Sequence, residues 1–183
     1  MEAFPTMHVR RRLSEFVLGP EWKQGKTWSV FFGRTALGFL FLWSGYQKLL
    51  TELGGKMATQ GFLSGPAVAN GPLAGFFESL AGNWAVEYLI VYGEFLIGIA
   101  LLLGVFTRVG AVGGMLMMLL FTVAMWPIAD KPGDNPLVDI RVIYGVMLLM
   151  FWFLQPGRFL GVDRFLEKTR VVEKHPRLKL LLG

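Results

Sequence analysis

Four apolar runs of about twenty residues are the feature that most limits how this chain can fold. They cover roughly 28–50, 86–106, 109–128 and about 138–155. An α-helix rises about 1.5 Å per residue, so a run of this length matches the hydrocarbon thickness of a bilayer. Because backbone polar groups must be satisfied internally in lipid, each run is predicted to be a transmembrane helix.

The composition indicates the same class of protein. Hydrophobic residues make up 54% of the 183 residues and charged residues only 17%, whereas a soluble domain carries about 25% charged residues. We therefore predict an all-α integral membrane protein with a transmembrane domain over 28–155. A basic N-terminal tail would cover 1–27, and an amphipathic basic tail would cover 156–183. The first run is not predicted to be a cleaved signal, because it follows 27 residues and contains Arg34.

Basic residues predict the orientation. Most of them lie in the two tails and in the turn between the second and third runs, which contains Arg108. The positive-inside rule then places both termini in the cytoplasm, as in a multi-pass protein of the cell membrane. Short connections favour antiparallel neighbours and hence a four-helix bundle. A basic tail in such a protein indicates contact with the anionic bilayer surface rather than with nucleic acid.

The long extracytoplasmic connection contains one helical pattern. Leu73, Phe76, Phe77 and Leu80 are spaced i, i+3, i+4, i+7 and so share one face of a helix. This loop helix is expected to lie at the outer interface, where it could cap the bundle. A loop helix that packs without any functional role is the alternative.

Metal and haem chemistry is not indicated. The chain has no cysteine, and its two histidines, His8 and His175, lie in the tails. We therefore expect no haem, no iron–sulfur cluster and no metal ion in the membrane domain.

Charged residues inside the runs are costly unless they find partners within the bundle. Arg34 and Lys48 fall on one stripe of the first run, and Glu87 and Glu94 on one stripe of the second. Each stripe also carries glycines, and such small residues let two helices approach closely. Helix rise places Arg34 ~9 Å and Glu94 ~17 Å from the inner side of a ~30 Å core. A long arginine side chain could bridge most of this difference in depth, so we predict an Arg34–Glu94 contact, direct or through water. The contact would either fix helix register or take part in chemistry.

A second charged group is predicted near the outer side. Lys48 ends the first run, Glu87 begins the second, and Asp139 and Arg141 begin the fourth, so their formal charges cancel. Tyr92 could add a hydroxyl to this group. The group could bind a ligand, or its members could simply reach water from the span ends.

Several segments together resemble the DoxX/DoxD family of small membrane proteins. These segments are "GRTALGFLFLWSGYQKL" (33–49), "GEFLIGIALLLGVFTRVGAVGG" (93–114), "NPLVDIRVIYGVMLL" (135–149) and "PGRFLGVDRFL" (156–166). Their order and spacing carry the resemblance, which extends over roughly 28–166. The closing segment and the length are most similar to the DoxD type, the membrane subunit of thiosulfate:quinone oxidoreductase.

This resemblance implies a four-span bundle that works at the quinone pool of a respiratory chain together with a second protein subunit. The positions that match the family pattern are Arg34, Lys48, Glu94, Arg108 and the region of Asn135. The implied activity is the oxidation of thiosulfate to tetrathionate with reduction of a quinone.

The expected roles follow from that chemistry. Glu94 and Arg34 are the catalytic candidates, with Glu94 relaying protons to the quinone. Lys48 and Arg141, helped by Asp139, Glu87 and Tyr92, are the substrate-binding candidates on the outer side. The alternative is a non-catalytic accessory subunit that stabilises a larger respiratory or oxidase complex. A small-solute carrier is a third hypothesis, against which the absence of an obvious inverted repeat argues.

Overall fold

The computed structural model describes residues 25–126 and 138–183. Within these ranges the chain contains α-helices and 3-10 turns, and no strand. In chain order the helices are α1 (Gly25–Leu53), α2 (Gln60–Leu63), α3 (Pro66–Ala69), α4 (Ala74–Ser79), α5 (Trp84–Leu103), α6 (Thr107–Ala124), α7 (Ile140–Leu154), α8 (Asp163–Leu166) and α9 (Arg170–Lys174). The 3-10 turns are Pro156–Arg158 and Pro176–Leu180.

The four predicted runs are the four long helices, α1, α5, α6 and α7. The last two residues of the predicted third run, 127 and 128, lie outside the described residues. By length and composition, α5 and α6 are apolar enough to cross a membrane. The apolar helix α7 is shorter, with 15 residues.

Local signals in the sequence set where these helices begin and end. The side chain of Asn83 accepts a hydrogen bond of 2.9 Å from the amide of Ala85 and so caps the start of α5. Gly104 ends α5 in the left-handed conformation, with φ of 66°. Asp139 caps α7 by accepting a 2.6 Å hydrogen bond from the amide of Arg141.

Glycines bring α1 and α5 into backbone contact. A Cβ atom on Gly45 would lie 2.5 Å from the backbone nitrogen of Phe95, and one on Gly98 would lie 2.5 Å from Cα of Leu42. A Cβ on Gly38 would similarly meet α5 backbone at 2.7 Å. The predicted stripe of small residues is therefore the seam along which the two helices pack.

The main core is built from all four long helices. Two buried residues from each helix meet at its centre: Leu37, Phe41, Ile97, Leu101, Ala111, Met118, Leu148 and Phe151. Gly114 of α6 lies under Leu148 of α7, where a Cβ would be 2.8 Å from the leucine methyl carbon. The described helices thus form a four-helix bundle.

The outer surface of this bundle is apolar, while charged side chains lie inside. Leu89 and Phe153 are 72% and 69% exposed. Arg34, Glu87 and Glu94 are all buried. A soluble protein shows the opposite distribution, so this surface is suited to contact with hydrocarbon.

Two smaller regions cover the ends of the bundle. At one end, called here the loop end, Phe77 of α4 packs with Leu63, Val68 and Ala124 in a second core cluster. The expected loop helix over 73–80 is therefore present as α4 and packs onto the end of α6. The other end is called here the basic end.

The C-terminal segment 156–183 folds over the basic end. The expected amphipathic segment is divided into two short α-helices and two 3-10 turns, because Gly157, Gly161 and Pro176 interrupt it. It buries Phe159 and Leu182.

Candidate functional site

Glu94 lies in the middle of α5 and is the centre of the candidate site. Its carboxylate is buried, with 3% of the residue exposed. Lys48 Nζ donates to Oε1 at 2.5 Å, and Ser44 Oγ donates to Oε2 at 2.8 Å. Both carboxylate oxygens therefore have a side-chain donor from α1.

The donors are brought together by helix geometry. Ser44 and Lys48 are four residues apart, so they lie on the same face of α1. The Lys48 ammonium also lies 5.6 Å from the ring centre of Phe121, on α6, within the range of a cation–π contact. We call Ser44, Lys48, Glu94 and Phe121 the Glu94 site. Neither Ser44 nor Phe121 was predicted from the sequence, although the four-residue spacing of Ser44 and Lys48 places them on one helix face.

The predicted Arg34–Glu94 contact is wrong. Arg34 Nη1 donates to the carbonyl oxygens of Pro156 at 2.7 Å and Phe159 at 3.4 Å, and Nη2 donates to Leu160 at 3.2 Å. Side chains on a helix tilt towards its N-terminus. Arg34 therefore points to the basic end. Glu94 points to the loop end, and the Lys48 side chain tilts from the loop end towards Glu94.

Arg34 is thus part of a different structure, at the basic end. Asp163 also lies at the basic end and is fully buried. Asp163 accepts hydrogen bonds from the amides of Phe106 (2.6 Å), Thr107 (2.9 Å) and Gly183 (3.0 Å), and from the Thr107 hydroxyl (2.7 Å). These bonds tie the C-terminal segment to the α5–α6 turn.

Glycines allow this close packing, which we call the basic-end junction. A Cβ on Gly104 would overlap the Arg34 guanidinium, and one on Gly157 would overlap Asp163 and Thr107. The segments "LLGVFTR" and "PGRFLGVD" therefore meet in space around Arg34. These residues lie in two separate motifs of the sequence. Asp163 was not predicted to be a site residue, because no spacing along the chain connects the two motifs.

The prediction of a single outer cluster is also wrong, because the carboxylates of Glu87 and Asp139 accept hydrogen bonds from nearer donors. Glu87 is buried and accepts from the Thr59 amide at 3.1 Å, from the Thr59 hydroxyl and from the Ala58 amide. It therefore anchors the loop that leads into α2. Asp139 and Arg141 form their own pair, with Nη2 and Oδ2 2.6 Å apart.

Two further predicted contributors lie elsewhere. Tyr92 is 44% exposed and packs edge-on against Tyr88, with ring centres 5.7 Å apart. It is two residues from Glu94 and so points to a different side of α5. The region of Asn135 lies outside the described residues. Of the predicted site residues, the structure brings together Lys48 with Glu94 and, separately, Asp139 with Arg141.

An apolar groove adjoins the Glu94 site. It has a volume of about 850 Å³, lies between α5 and α6, and runs from the loop helices to the α5–α6 turn. Gly93 of α5 and Phe121 of α6 are among its walls. Phe121 also packs edge-on against Phe62 of α2, with ring centres 5.6 Å apart. Phe121 therefore stands between the Lys48 ammonium and the groove.

This arrangement has a definite chemical capacity. The groove offers apolar walls to a long hydrocarbon chain or a flat ring. At its side, a carboxylate and an ammonium lie in hydrogen-bond contact, and side chains of these two types take part in general acid–base chemistry. Among the described residues no group of three histidine, aspartate or glutamate side chains converges in a way that could hold a metal ion.

Comparison with known proteins gives one match. The model of the DoxX family matches residues 29–126, which is more than half of the chain. The matched range contains the Glu94 site, the groove and the Arg34 side of the basic-end junction. No curated protein and no solved structure matches the chain.

Proposed function

We infer the function from the family and the site together: this chain belongs to the DoxX family, whose members are membrane-associated. We propose that it is the membrane subunit of a quinone-linked oxidoreductase in the respiratory chain of the cell membrane. It would span the bilayer four times with both termini in the cytoplasm, as the distribution of its basic residues favours. The observation that carries the proposal is the buried Glu94–Lys48 pair beside an apolar groove.

The proposed reaction needs what this site offers. Two thiosulfate ions each lose one electron and join as tetrathionate, and a quinone takes those two electrons with two protons. Electrons would come from a second subunit, while protons must reach the quinone oxygens inside the membrane. Glu94 is the group that would deliver them, and the groove would hold the apolar tail. Phe121, in contact with Lys48, would lie against the ring.

Arg34 takes a different role in this proposal from the one expected from the sequence. Its guanidinium is used by three backbone carbonyls at the basic end. It therefore positions the C-terminal segment and does not meet the quinone. Arg141 is likewise engaged with Asp139.

A specific observation favours a second function, that of a non-catalytic accessory subunit in a larger membrane complex. Arg34, Glu87 and Asp163 are buried, and each forms hydrogen bonds with groups of this chain. If the Glu94–Lys48 pair serves packing in the same way, the groove would receive a helix of a partner subunit rather than a quinone.

The test compares Glu94→Gln with Glu78→Gln, an exposed glutamate of α4. Each protein is purified in mild detergent, its bound quinone is extracted and measured, and reduction of a short-chain quinone by thiosulfate is followed with the complete complex. Loss of a proton-transfer group lowers rates by about 10²- to 10⁴-fold. We expect a loss of at least about a hundredfold in Glu94→Gln, with bound quinone retained and Glu78→Gln unchanged.

The two functions give different results. Unchanged quinone reduction by Glu94→Gln contradicts a proton-delivering role. If wild-type protein contains no quinone, and Glu94→Gln instead loses its partner subunits during purification, the accessory function is supported.

A further inference from the structure

A second groove lies at the basic end, on a part of the molecule that the proposed function does not use. It has a volume of about 810 Å³ and is walled by the N-terminal part of α1, the C-terminal end of α7 and the segment 156–168. We propose that this groove binds an anionic glycerophospholipid, with the phosphate among its basic side chains and an acyl chain along its apolar wall.

One half of the groove is cationic. Among the described residues, four basic side chains line it together with the carboxylate of Glu167: Lys26, Arg158, Arg164 and Lys168. The formal charges of these described wall residues sum to a positive value, although Glu167 Oε1 accepts a 2.6 Å hydrogen bond from Arg158 Nη2. Basic pockets of this kind at helix ends attract lipid phosphates, because each nearby cation adds about 1 kcal/mol of attraction to an anionic lipid.

The other half of the groove is apolar. Val30 and Phe31 of α1 form one side, and Phe153 and Leu154 of α7 form the other. Phe153 and Leu154 are exposed on the outer surface of the bundle, so this half opens onto the region that hydrocarbon would occupy. A soluble anion could use only the cationic half, whereas a phospholipid uses both.

The position along the bundle fits the same ligand. The groove lies where α1 begins and α7 ends, which is the level of the lipid headgroups for helices that cross a bilayer. Long basic side chains at this level can hold a phosphate while their stems rest on apolar residues. The site is separate from the Glu94 site, which lies on the other side of Arg34 along α1, so it does not depend on the proposed function.

The test measures binding to the full-length protein in a neutral detergent by native mass spectrometry. The probes are dioleoylphosphatidylglycerol, dioleoylphosphatidylcholine and glycerol 3-phosphate. The first two differ in net charge, and the third carries a phosphate without acyl chains. We expect phosphatidylglycerol to bind at least about tenfold more tightly than either of the others, as an excess of one or two nearby cations implies.

A double variant locates the site. Lys26→Ala with Lys168→Ala removes two exposed cations of the groove. The matched control is Lys174→Ala with Lys179→Ala, which removes two exposed cations from the same C-terminal tail outside the groove. We expect the groove variant to bind phosphatidylglycerol roughly tenfold more weakly and the control to bind like wild type, with elution volume and thermal midpoint preserved in both.

Three outcomes overturn the proposal. Equal binding of the two lipids by wild type removes the need for a cationic site. Equal losses in the two double variants mean that the attraction is spread over the whole tail. Binding of glycerol 3-phosphate as tight as that of phosphatidylglycerol shows a site for a free anion, in which the apolar wall has no part.

Discussion

Buried carboxylates in the described residues are held by different kinds of donor. Asp163 is held mainly by backbone amides and Glu87 by the start of a loop helix. Glu94 is held by the side chains of Lys48 and Ser44. An amide donor cannot release its proton, whereas an ammonium can. Of these three carboxylates, Glu94 is therefore the one that accepts a hydrogen bond from an ionisable side chain.

The first prediction concerns Asp163→Asn. The substitution keeps the size of the side chain but replaces one acceptor oxygen by a donor, so it leaves amides without a partner and removes charge-assisted hydrogen bonds. We expect a loss of about 2–3 kcal/mol in the free energy of unfolding. Unfolding in mixed micelles measures it. Glu167→Gln is the control, because its exposed pair with Arg158 contributes under about 1 kcal/mol.

The second prediction separates packing from chemistry at the Glu94 site. Lys48→Met leaves Glu94 buried without its cation, which costs about 1–3 kcal/mol after allowance for the 26% exposure of the Lys48 side chain. Lys48→Met combined with Glu94→Leu removes both charges, and apolar replacement of a whole pair is often neutral.

We therefore expect the double variant to regain the stability of wild type, as measured by its thermal midpoint, while quinone reduction stays lost. A double variant that regains both properties shows that the pair serves packing alone. A single variant as stable as wild type shows that the pair contributes little to the fold.

At the scale of helices, small residues decide which pairs pack closely. Gly38, Gly45 and Gly98 place the backbones of α1 and α5 in contact, and this contact is what brings Lys48 within reach of Glu94. In contrast, α5 and α6 separate far enough to form the apolar groove. The same helix, α5, therefore supplies the carboxylate of the charged pair and one wall of the groove.

The third prediction tests this seam with matched glycines. Gly98→Ala places a methyl group against the Leu42 backbone, which cannot move aside as a flexible side chain can. We expect a loss of about 2 kcal/mol or more in the free energy of unfolding. Gly145→Ala lies in α7 with open space around it, so it should be neutral or gain up to about 1 kcal/mol from helix propensity. Equal thermal midpoints for the two variants would contradict a close α1–α5 contact.

Helix periodicity and length were enough to predict the four long helices, the helix in the loop and the small-residue stripe. They also placed Lys48 and Glu94 on inward stripes. The partner that each side chain meets depends on the direction in which the side chain points along its helix. The prediction for Arg34 considered its depth in the membrane but not that direction.

The basic-end junction could not be predicted because its partners are carbonyls and amides of irregular backbone. Arg34 donates to the carbonyls of Pro156, Phe159 and Leu160, which lie in the turns that follow α7. A sequence shows which side chains can donate or accept, but it does not show which backbone groups are left unpaired by a turn. The structural role of the motifs around Gly104 and Asp163 is therefore visible only in the folded protein.

At the scale of the whole molecule, the distribution of polar and apolar side chains is the reverse of that in a soluble protein. Charged side chains lie in the interior, whereas leucine and aromatic side chains cover the outside of the bundle. The two ends also differ: the loop end has few exposed basic residues, such as Lys56, and the basic end has many, including Arg158 and Lys168. Such an asymmetry predicts one orientation in the bilayer, with the basic end in the cytoplasm.

The fourth prediction tests that orientation and the number of crossings. The chain has no cysteine, so single cysteines can be introduced without background labelling. Ser79→Cys is exposed at the loop end, and Thr169→Cys is exposed at the basic end. Intact cells are treated with a membrane-impermeant maleimide, and lysed cells are the control for reactivity. We expect Ser79→Cys to react in intact cells and Thr169→Cys to react only after lysis.

The same pair of variants distinguishes the alternatives, because the two ends must face opposite sides if α1 and α5 to α7 all cross the bilayer. Labelling of both positions in intact cells would place both ends of the bundle outside, which a bundle of four crossing helices does not allow. Labelling of Thr169→Cys alone reverses the orientation and puts the groove between α1 and α7 in the outer leaflet. The positive-inside bias would then not determine the orientation, and a phospholipid bound in this groove would belong to the outer leaflet.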